Sequence, residues 1–435
     1  MTGPVALKCS VLKIWGYILL GLLFSCGPVC DAQEHTLQLD RIRINDTTPG
    51  RHRIPVLDDD GEVDLIDVGN GLLNRKLARN VDTASVKPGQ VHSAVLPGVG
   101  YSLQTGFAAV MQYLGGFYTS KNKDANQSSI SASISYTQMN QVLVPLQASI
   151  WTNNNRYNIQ ADWRYLVFPQ NTYGLGGFSP LANAYIISFS NLRMYTTVYR
   201  AVLPDMYVGA GADIDVLWNM HEVSPPHEVT DYQKYASAHN ETGTTAMATA
   251  PTLDFLYDTR RNSINPLAGN FVNVVYRPNL TMLGSSENWQ SLVVDMRKYI
   301  PSPINHKDIL ALWSYNWLTL SGNPPYVLLP NTGGDPYGNT GRGFTEGRFR
   351  GKNMLYAESE YRFGILHNGF LGGVVFANAQ SFSEETNGQF ARIYAGYGAG
   401  VRIKFNKFSR TNVAIDYGLG TDGSKGVFIN LGEVF

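Results

Sequence analysis

Several stretches of the chain alternate apolar and polar residues one by one. In SSISASISY at 128–136, Ile130 and Ile134 lie on one face of an extended chain while serines fill the other. The same period of two recurs in RYNIQADWRYLVF at 156–168 and in RTNVAIDYGL at 410–419. Since successive side chains of a strand point to opposite faces, this pattern predicts β-strands with one apolar and one polar face.

Extending this pattern along the chain predicts sixteen antiparallel strands. Most span about ten residues, longer than a typical strand of a globular protein and long enough to cross a membrane at a tilt. The predicted strands are 96–103, 106–119, 127–138, 141–151, 155–168, 184–202, 205–220, 246–258, 270–281, 290–300, 308–319, 353–364, 370–381, 391–405, 409–419 and 425–435.

The connections between these strands differ in length in an alternating way. Several even-to-odd connections are short, such as 203–204 and 365–369, whereas odd-to-even connections are long. The long ones are 169–183, 221–245, 282–289, 320–352 and 382–390. Tight turns on one side and long loops on the other are typical of a transmembrane β-barrel. A single alternating strand would also fit a soluble sandwich, so the argument for a barrel depends on the whole set.

The first residues have the layout of an export signal. Lys8 and Lys13 precede the apolar run 14–24, and small residues follow up to a plausible cleavage site after Ala32. The run is too short to span a bilayer as a helix. Lipidation at Cys26, within the sequence LFSC, is the alternative to cleavage after Ala32.

These features divide the chain into three predicted parts. Residues 1–32 are predicted to be a signal peptide, 33–95 a short periplasmic N-terminal extension, and 96–435 an outer-membrane β-barrel. All three cysteines lie within the first 32 residues, so the predicted mature chain has no disulfide, no cysteine metal ligand and no thiol nucleophile.

Composition and charge exclude some partners and suggest others. The chain has 34 basic and 34 acidic residues, so it lacks the basic footprint of a nucleic-acid-binding protein. Tyrosine is frequent at 25 residues, and only 16% of residues are charged. An exported, tyrosine-rich chain of alternating strands predicts contact with outer-membrane lipid.

Motifs for catalysis or metal binding are weak. No G-x-S-x-G elbow is present, so the sequence predicts neither catalytic residues nor a cofactor. His221, Glu222, His227 and His239 cluster in one long loop. Because this loop contains a Pro-Pro pair and has irregular spacing, we expect a solvated surface loop and no metal site.

Three motifs, in order along the chain, resemble one family. PGVGYSLQTGF at 97–107, YLVFPQNTYGLGG at 165–177 and YDTRRNSINPLAGNF at 257–271 are similar to motifs of the bacterial surface antigen barrels, the superfamily of BamA and TamA. The likeness covers 97–435. Since the N-terminal extension is too short for tandem periplasmic modules, the chain resembles the subgroup that lacks these POTRA modules.

The segment Gly341-Arg342-Gly343-Phe344 resembles the family motif V-R-G-F/Y. The resemblance implies that the loop between predicted strands 11 and 12 folds into the lumen and that Arg342 is held by wall residues of strands 12 and 13. The residues that we assign to this clasp are Gly341, Arg342, Gly343, Phe344, Glu358, Glu360, Phe376 and Asn378. Asn378 stands where the family has aspartate, which removes a charge that Glu358 could replace if it faces the lumen.

The final segment KGVFINLGEVF is predicted to be a strand that carries the signal by which barrel precursors are recognised for insertion. The residues of this predicted signal are Val427, Ile429, Leu431 and Phe435.

The resemblance implies a non-enzymatic function in the bacterial outer membrane. The expected activity is to assist insertion or translocation of proteins or lipids, with other outer-membrane or periplasmic proteins as partners. A passive channel or a structural subunit of an envelope complex is the alternative, and binding of a surface ligand by 221–245 and 320–352 is a weaker one.

Overall fold

The computed structural model describes most of the chain from residue 91 onward and a short segment before it. The described residues are 62–65, 67–68, 91–102, 105–120, 125–152, 154–225, 228–239, 241, 243–260, 262–305, 307–407 and 409–435. The predicted signal peptide, the alternative lipidation site at Cys26 and most of the predicted extension lie outside these residues.

The described residues form an all-β fold with few helices. The strands are β1 His92–Ser102, β2 Gly106–Phe117, β3 Ser128–Thr137, β4 Val142–Thr152, β5 Tyr157–Val167, β6 Gln170–Thr172, β7 Tyr185–Leu203, β8 Met206–Val223, β9 Ala246–Asp258, β10 Gly269–Asn279, β11 Trp289–Pro301, β12 Ile309–Ser321, β13 Asn353–Gly364, β14 Leu371–Phe382, β15 Tyr394–Asn406, β16 Thr411–Gly420 and β17 Lys425–Leu431. The helices are α1 Asp231–Ala238 and the 3₁₀ turns Leu181–Asn183, Thr281–Leu283 and Tyr326–Leu328, and residues 65, 67 and 68 are also helical.

Each long strand pairs antiparallel with the next one along the chain. The short β6 follows β5 and pairs with the first residues of β7, so it extends the wall without adding a crossing. β1 and β17 lie next to each other, which brings the sheet round into a nearly closed barrel of sixteen long strands. The predicted fold and strand count are therefore confirmed.

Side chains alternate between the lumen and the outside along each strand. In β3, Ile134 is 56% exposed on the outer face, opposite Met111 of β2, whereas Ser133 points inward opposite Gln112. In β14, Val375 lies outside and is followed by inward-facing side chains at every second position. This arrangement places apolar side chains on the outer face and polar ones in the lumen, which is the pattern of a membrane barrel.

The two ends of the barrel differ as the sequence predicts. We call one the loop end, which carries the long connections 173–184, 224–245, 280–288, 322–352 and 383–393. We call the other the turn end, which carries shorter connections including 204–205, 302–308, 365–370 and 407–410. No helix in the described part of the chain combines the length and apolar character needed to cross a bilayer.

The loop end has an apolar core of its own. α1 packs Tyr232 and Tyr235 edge-on against Tyr326 of the 322–352 connection, with ring centroids 5.2 Å and 5.8 Å apart. Thr230 caps the helix by accepting a hydrogen bond from Gln233 N at 3.1 Å. The predicted solvated loop at 221–245 is therefore wrong, because buried tyrosines and an N-cap order this segment.

The two largest differences between predicted and observed strand boundaries, four residues each, lie in the first and last strands. β1 begins at His92, four residues before the predicted start, and pairs with β2 along its whole length. β17 ends at Leu431 instead of continuing to the last residue, because Gly432 adopts a left-handed conformation at φ +108°.

A pair of arginine substitutions on β3 tests this inside–outside assignment. Since Ile134 faces outward and Ser133 inward at almost the same depth, Ile134→Arg should lower the free energy of unfolding in phospholipid vesicles by about 2 kcal/mol. Ser133→Arg, the matched control, should change it by less than half as much. Equal losses, or a larger loss for Ser133→Arg, would contradict the register of β3.

Candidate functional site

The connection 322–352, which we call the lumen loop, enters the barrel and crosses it. Most of its residues are buried, although a loop of this glycine content could equally lie on the surface. At its far side, Arg164 of β5 donates a hydrogen bond from Nη2 to the carbonyl oxygen of Pro336 at 2.7 Å. The lumen loop therefore reaches from β12 and β13 to the opposite wall, as an in-folded loop should.

Arg342 lies at the centre of a cluster of carboxylates on the lumen wall. Its Nε donates to Glu358 Oε1 at 2.9 Å and its Nη1 donates to Asp416 Oδ2 at 2.8 Å. Its Nη2 contacts both Glu358 and Glu360. The guanidinium carbon lies 3.8 Å from the ring centroid of Phe376. Because Arg342 is only 2% exposed, these groups replace its hydration shell.

The eight residues predicted for the clasp all lie at this place. Asn378 donates from Nδ2 to the backbone oxygen of Arg342 at 2.9 Å, so it holds the peptide group and not the guanidinium. The charge that an aspartate would supply comes instead from Glu358, which faces the lumen, and from Asp416 on β16. Although position 378 is an amide, Arg342 still has three carboxylate partners: Glu358, Glu360 and Asp416.

Arg362 and Arg402 extend the cluster along the wall. Arg362 Nε donates to Glu360 Oε1 at 2.5 Å. Arg402 donates from Nη1 to Asp416 Oδ1 at 2.5 Å and from Nε to Glu433 Oε2 at 2.7 Å. With three arginines among four buried carboxylates, the charges nearly balance. Removing one member of such a buried network typically costs about 3–5 kcal/mol.

Sequence reasoning missed Asp416, Arg402 and Glu433 as members of this network. The alternation of β16 does place Asp416 on its polar face, but every strand of the barrel has a polar face. The register of β15 and β16 is what brings Asp416 and Arg402 together, since Asp416 pairs with Gly400 and Arg402 pairs with Ala414.

Glycines on the wall give the loop room to approach. We call three lumen-facing glycines of β15 and β16 the glycine seat: Gly396, Gly418 and Gly420. A Cβ on Gly418 would lie 2.7 Å from the backbone nitrogen of Gly343, and one on Gly420 would lie 2.6 Å from the Phe344 ring. Gly343 itself has φ +104°, which favours glycine. The loop tip and the wall are thus complementary in backbone shape.

Two more arginines attach the lumen loop near the loop end. Arg348 Nε donates to Asp422, in the β16–β17 connection, at 2.7 Å, and its Nη1 donates to Ser179 O at 2.8 Å. Arg350 Nη2 donates to Gln170 Oε1 at 2.6 Å. All three arginines of the lumen loop are therefore buried, each less than 5% exposed.

Gln170 also links a buried carboxylate to this group. Its Nε2 donates to Glu346 Oε1 at 2.7 Å. Burial raises the pKa of Glu346 to about 7, and the hydrogen bond from Gln170 opposes part of that rise. Glu346 therefore binds its proton more tightly when the lumen loop is seated than when it is not. The free energy that favours the seated loop should fall as pH rises from the usual glutamate range toward about 7.

The end of the chain turns into the lumen. β17 stops at Leu431 and Gly432 has φ +108°, a left-handed conformation that breaks the strand. Phe435 then stacks on Trp313 with ring centroids 5.1 Å apart, and Arg362 Nη2 donates to the Phe435 carbonyl oxygen at 2.8 Å. The tail after β17 therefore packs against the wall that carries the clasp.

The residues of the predicted insertion signal thus separate into two groups. Ile429 and Leu431 are 37% and 57% exposed on the outer face, where Val427 also lies. Phe435 does not continue that face as predicted, because the bend at Gly432 turns it inward. Recognition of these residues during insertion stays a prediction.

The tail also touches the lumen loop. Asn339 donates from Nδ2 to the carbonyl oxygen of Val434 at 2.6 Å. The tip of the loop, the tail and the arginine network are therefore one continuous set of contacts beside the last strand.

The histidine-rich loop holds no metal cluster in its described part. Glu222 accepts hydrogen bonds from Thr230 and from Gln233 Nε2, so it supports the start of α1. Across the described residues no three His, Cys, Asp or Glu side chains are placed to hold a metal ion. His227 lies outside the described residues.

Comparison with known proteins agrees with the barrel fold. The Omp85 superfamily domain matches residues 206–434, more than half of the chain. The chain belongs to the Omp85 superfamily. It is an outer-membrane β-barrel of the Omp85 type, and no POTRA domain is evident in its described residues. No curated protein sequence matches the chain.

Solved structures show the same fold at low sequence identity. BamA from Haemophilus ducreyi lacking POTRA domains 1–3 aligns with a TM-score of 0.53 and 16% identity, over 79% of this chain and 69% of that one. CdiB from Acinetobacter baumannii aligns at 0.51 and 13%, over 79% and 60%. CdiB from Escherichia coli aligns at 0.53 and 8%, over 80% and 63%. The chain thus spans about three fifths of each CdiB.

A bulkier side chain in the glycine seat should displace the loop tip. Gly418→Val places carbon atoms where the Gly343 backbone lies, so trypsin cleavage after Arg348 and Arg350 in the folded, detergent-solubilised protein should rise at least about tenfold. Gly100→Val is the matched control, since nothing lies within 4 Å of a Cβ at that lumen-facing strand position. Unchanged cleavage in a heat-modifiable Gly418→Val barrel would show that the seat does not position the loop.

Proposed function

We propose that this protein assists insertion or translocation of proteins or lipids at the bacterial outer membrane without enzymatic catalysis. Membership of the Omp85 superfamily supports the general role, and one observation carries the specific proposal. The first and last strands lie side by side with no ladder of hydrogen bonds between them among the described residues.

The contact between β1 and β17, which we call the seam, is the one junction of neighbouring long strands without a ladder among the described residues. β17 has only 7 residues, whereas its neighbours β16 and β1 have 10 and 11. Each ladder hydrogen bond that is missing lowers the free energy needed to separate two strands. The seam is therefore the place where the wall opens toward lipid with least loss of hydrogen bonding.

Charge is distributed unequally on the two sides of the seam. The strands β1 to β4 contain no Asp, Glu, Lys or Arg. On the other side, β13 to β17 carry the arginine network, the glycine seat and the inward tail. We infer that β13 to β17 keep their shape when the seam opens, because moving them would separate buried ion pairs. The strands β1 to β4 would then be the ones that move.

The passive channel is the second candidate, and the structure gives it less support. The lumen loop crosses the barrel, and the apolar core at the loop end covers it. A wide, steady conductance from the purified protein in planar bilayers would nevertheless favour a channel over the proposed role.

The orientation and processing of the chain belong to the same proposal. The loop end faces the cell surface and the turn end faces the periplasm. Residues 1–32 are removed as a signal peptide, residues 33–95 form the periplasmic extension, and the partners are outer-membrane lipid and other envelope proteins. Depletion of the protein in its own cell, followed by an inventory of outer-membrane components, would identify what it handles.

Closing the seam covalently tests the proposal. Disulfides between cysteines placed in β1 and β17 should abolish the ability of the protein to restore outer-membrane components in depleted cells, and reduction should return it. A disulfide between positions 415 and 429, which pair within the β16–β17 ladder, is the matched control and should leave activity intact. Full activity with the seam closed would rule out lateral opening.

A further inference from the structure

An acidic segment before the barrel lies on the turn end. We call residues 62–67 the acidic strap, of which all but position 66 are described. Its sequence EVDLID has three carboxylates in six residues, within the longer acidic stretch DDDGEVDLID. The described strap residues contact three separate turns that connect strands between β11 and β16.

The turn 407–410 makes the closest contacts with the strap. Lys407 donates its backbone N–H to Asp64 Oδ2 at 3.0 Å, and its Nζ donates to the Glu62 carbonyl oxygen at 3.1 Å. The same Nζ lies 3.3 Å from Asp67 Oδ2. Asp64 is completely buried, and its Oδ1 accepts the backbone N–H of Asp67 at 2.9 Å. The bond from Asp67 lies within the strap, as at the start of a helix, and the bond from Lys407 N ties the buried Asp64 carboxylate to the barrel.

The other two turns complete the surface under the strap. Val63 N donates to the Asn368 carbonyl oxygen at 3.0 Å, a single hydrogen bond between the two backbones. The Glu62 side chain lies beside Gly369, at van der Waals distance from the position of a Cβ there. Lys307 Nζ lies 3.9 Å from Glu62 Oε1 on the third turn.

The turn 407–410 is also contacted by the 259–268 connection, which comes from another part of the barrel. Asn262 Nδ2 donates to the Ser409 carbonyl oxygen at 3.2 Å, and Asn265 Nδ2 donates to the Arg410 carbonyl oxygen at 3.3 Å. The connection 259–268 therefore folds beneath the lumen to reach the hairpin next to β17. Strap and connection together hold the turn end of the wall that carries the clasp.

We propose that the turns 302–308, 365–370 and 407–410 form a docking surface for an acidic peptide, and that the chain's own strap is its resident ligand. The surface recognises a buried aspartate through the backbone N–H of Lys407, a second carboxylate through the Lys407 ammonium, and the backbone N–H of Val63 through the Asn368 carbonyl oxygen. This inference does not depend on the seam or on the proposed insertion activity.

The contacts rank the residues that matter. The Lys307–Glu62 pair is solvated and 3.9 Å apart, and such surface pairs contribute little. Two of the three contacts of Lys407 with the strap come from its ammonium, to Glu62 O and Asp67 Oδ2, so its side chain is the main determinant that a substitution can change. Docking should accordingly depend strongly on position 407 and weakly on position 307.

Protease access to the strap tests this proposal in the full-length, detergent-solubilised protein. The endoproteinase that cuts before aspartate should cleave slowly before the buried Asp64, with the rate followed by mass spectrometry. In Lys407→Glu that rate should rise at least about tenfold, because the carboxylates of the strap then meet a like charge. Arg156→Glu reverses an exposed charge on a different turn at the same end and is the matched control.

A strap-side variant keeps the test valid if Lys407→Glu perturbs the barrel. Asp67→Asn changes no barrel residue, removes the ion pair with Lys407, and should also raise cleavage before Asp64. Heat-modifiable mobility on gels confirms that each variant barrel is folded. Cleavage at the wild-type rate in both folded variants, or rapid cleavage before Asp64 in the wild type, would overturn the docking surface.

Discussion

The structure depends on one buried guanidinium. Arg342 enters a lumen wall that supplies three carboxylates and an aromatic face, and it is almost completely removed from water. Burying a charge of this kind is costly unless all its partners are in place. Because Glu358 and Glu360 come from β13 and Asp416 from β16, the ion pairs form only when the loop is seated and the intervening strands hold their register.

That constraint connects parts of the molecule that are distant in sequence. The lumen loop bridges to β5 through Pro336 and to the inward tail through Asn339, and the tail returns to the network through Glu433. The last strand is therefore continuous with the clasp through its tail, whereas no ladder joins it to β1 among the described residues. The proposed insertion or translocation role uses this combination of a rigid wall and a weak seam.

The sequence predicts the barrel well because its period-two alternation is a local property of each strand. The V-R-G-F-like segment also predicts an inward arginine and two of its acidic partners. The register-dependent part is not predictable in this way, since Asp416 and Arg402 resemble other polar residues that face the lumen. Likewise, the left-handed conformation of Gly432 and the apolar packing of α1 depend on neighbours that the local pattern does not contain.

Hydrogen–deuterium exchange of the lumen loop in Arg342→Lys tests the central claim most directly. Lysine keeps the positive charge but lacks the planar fork that reaches Glu358 and Asp416 at once. Exchange of the amides from Gly341 to Arg350 should therefore accelerate at least about tenfold, while the β13–β14 ladder exchanges as in the wild type. Loop amides that stay as protected as in the wild type would contradict the account, because the loop would then be held without the clasp.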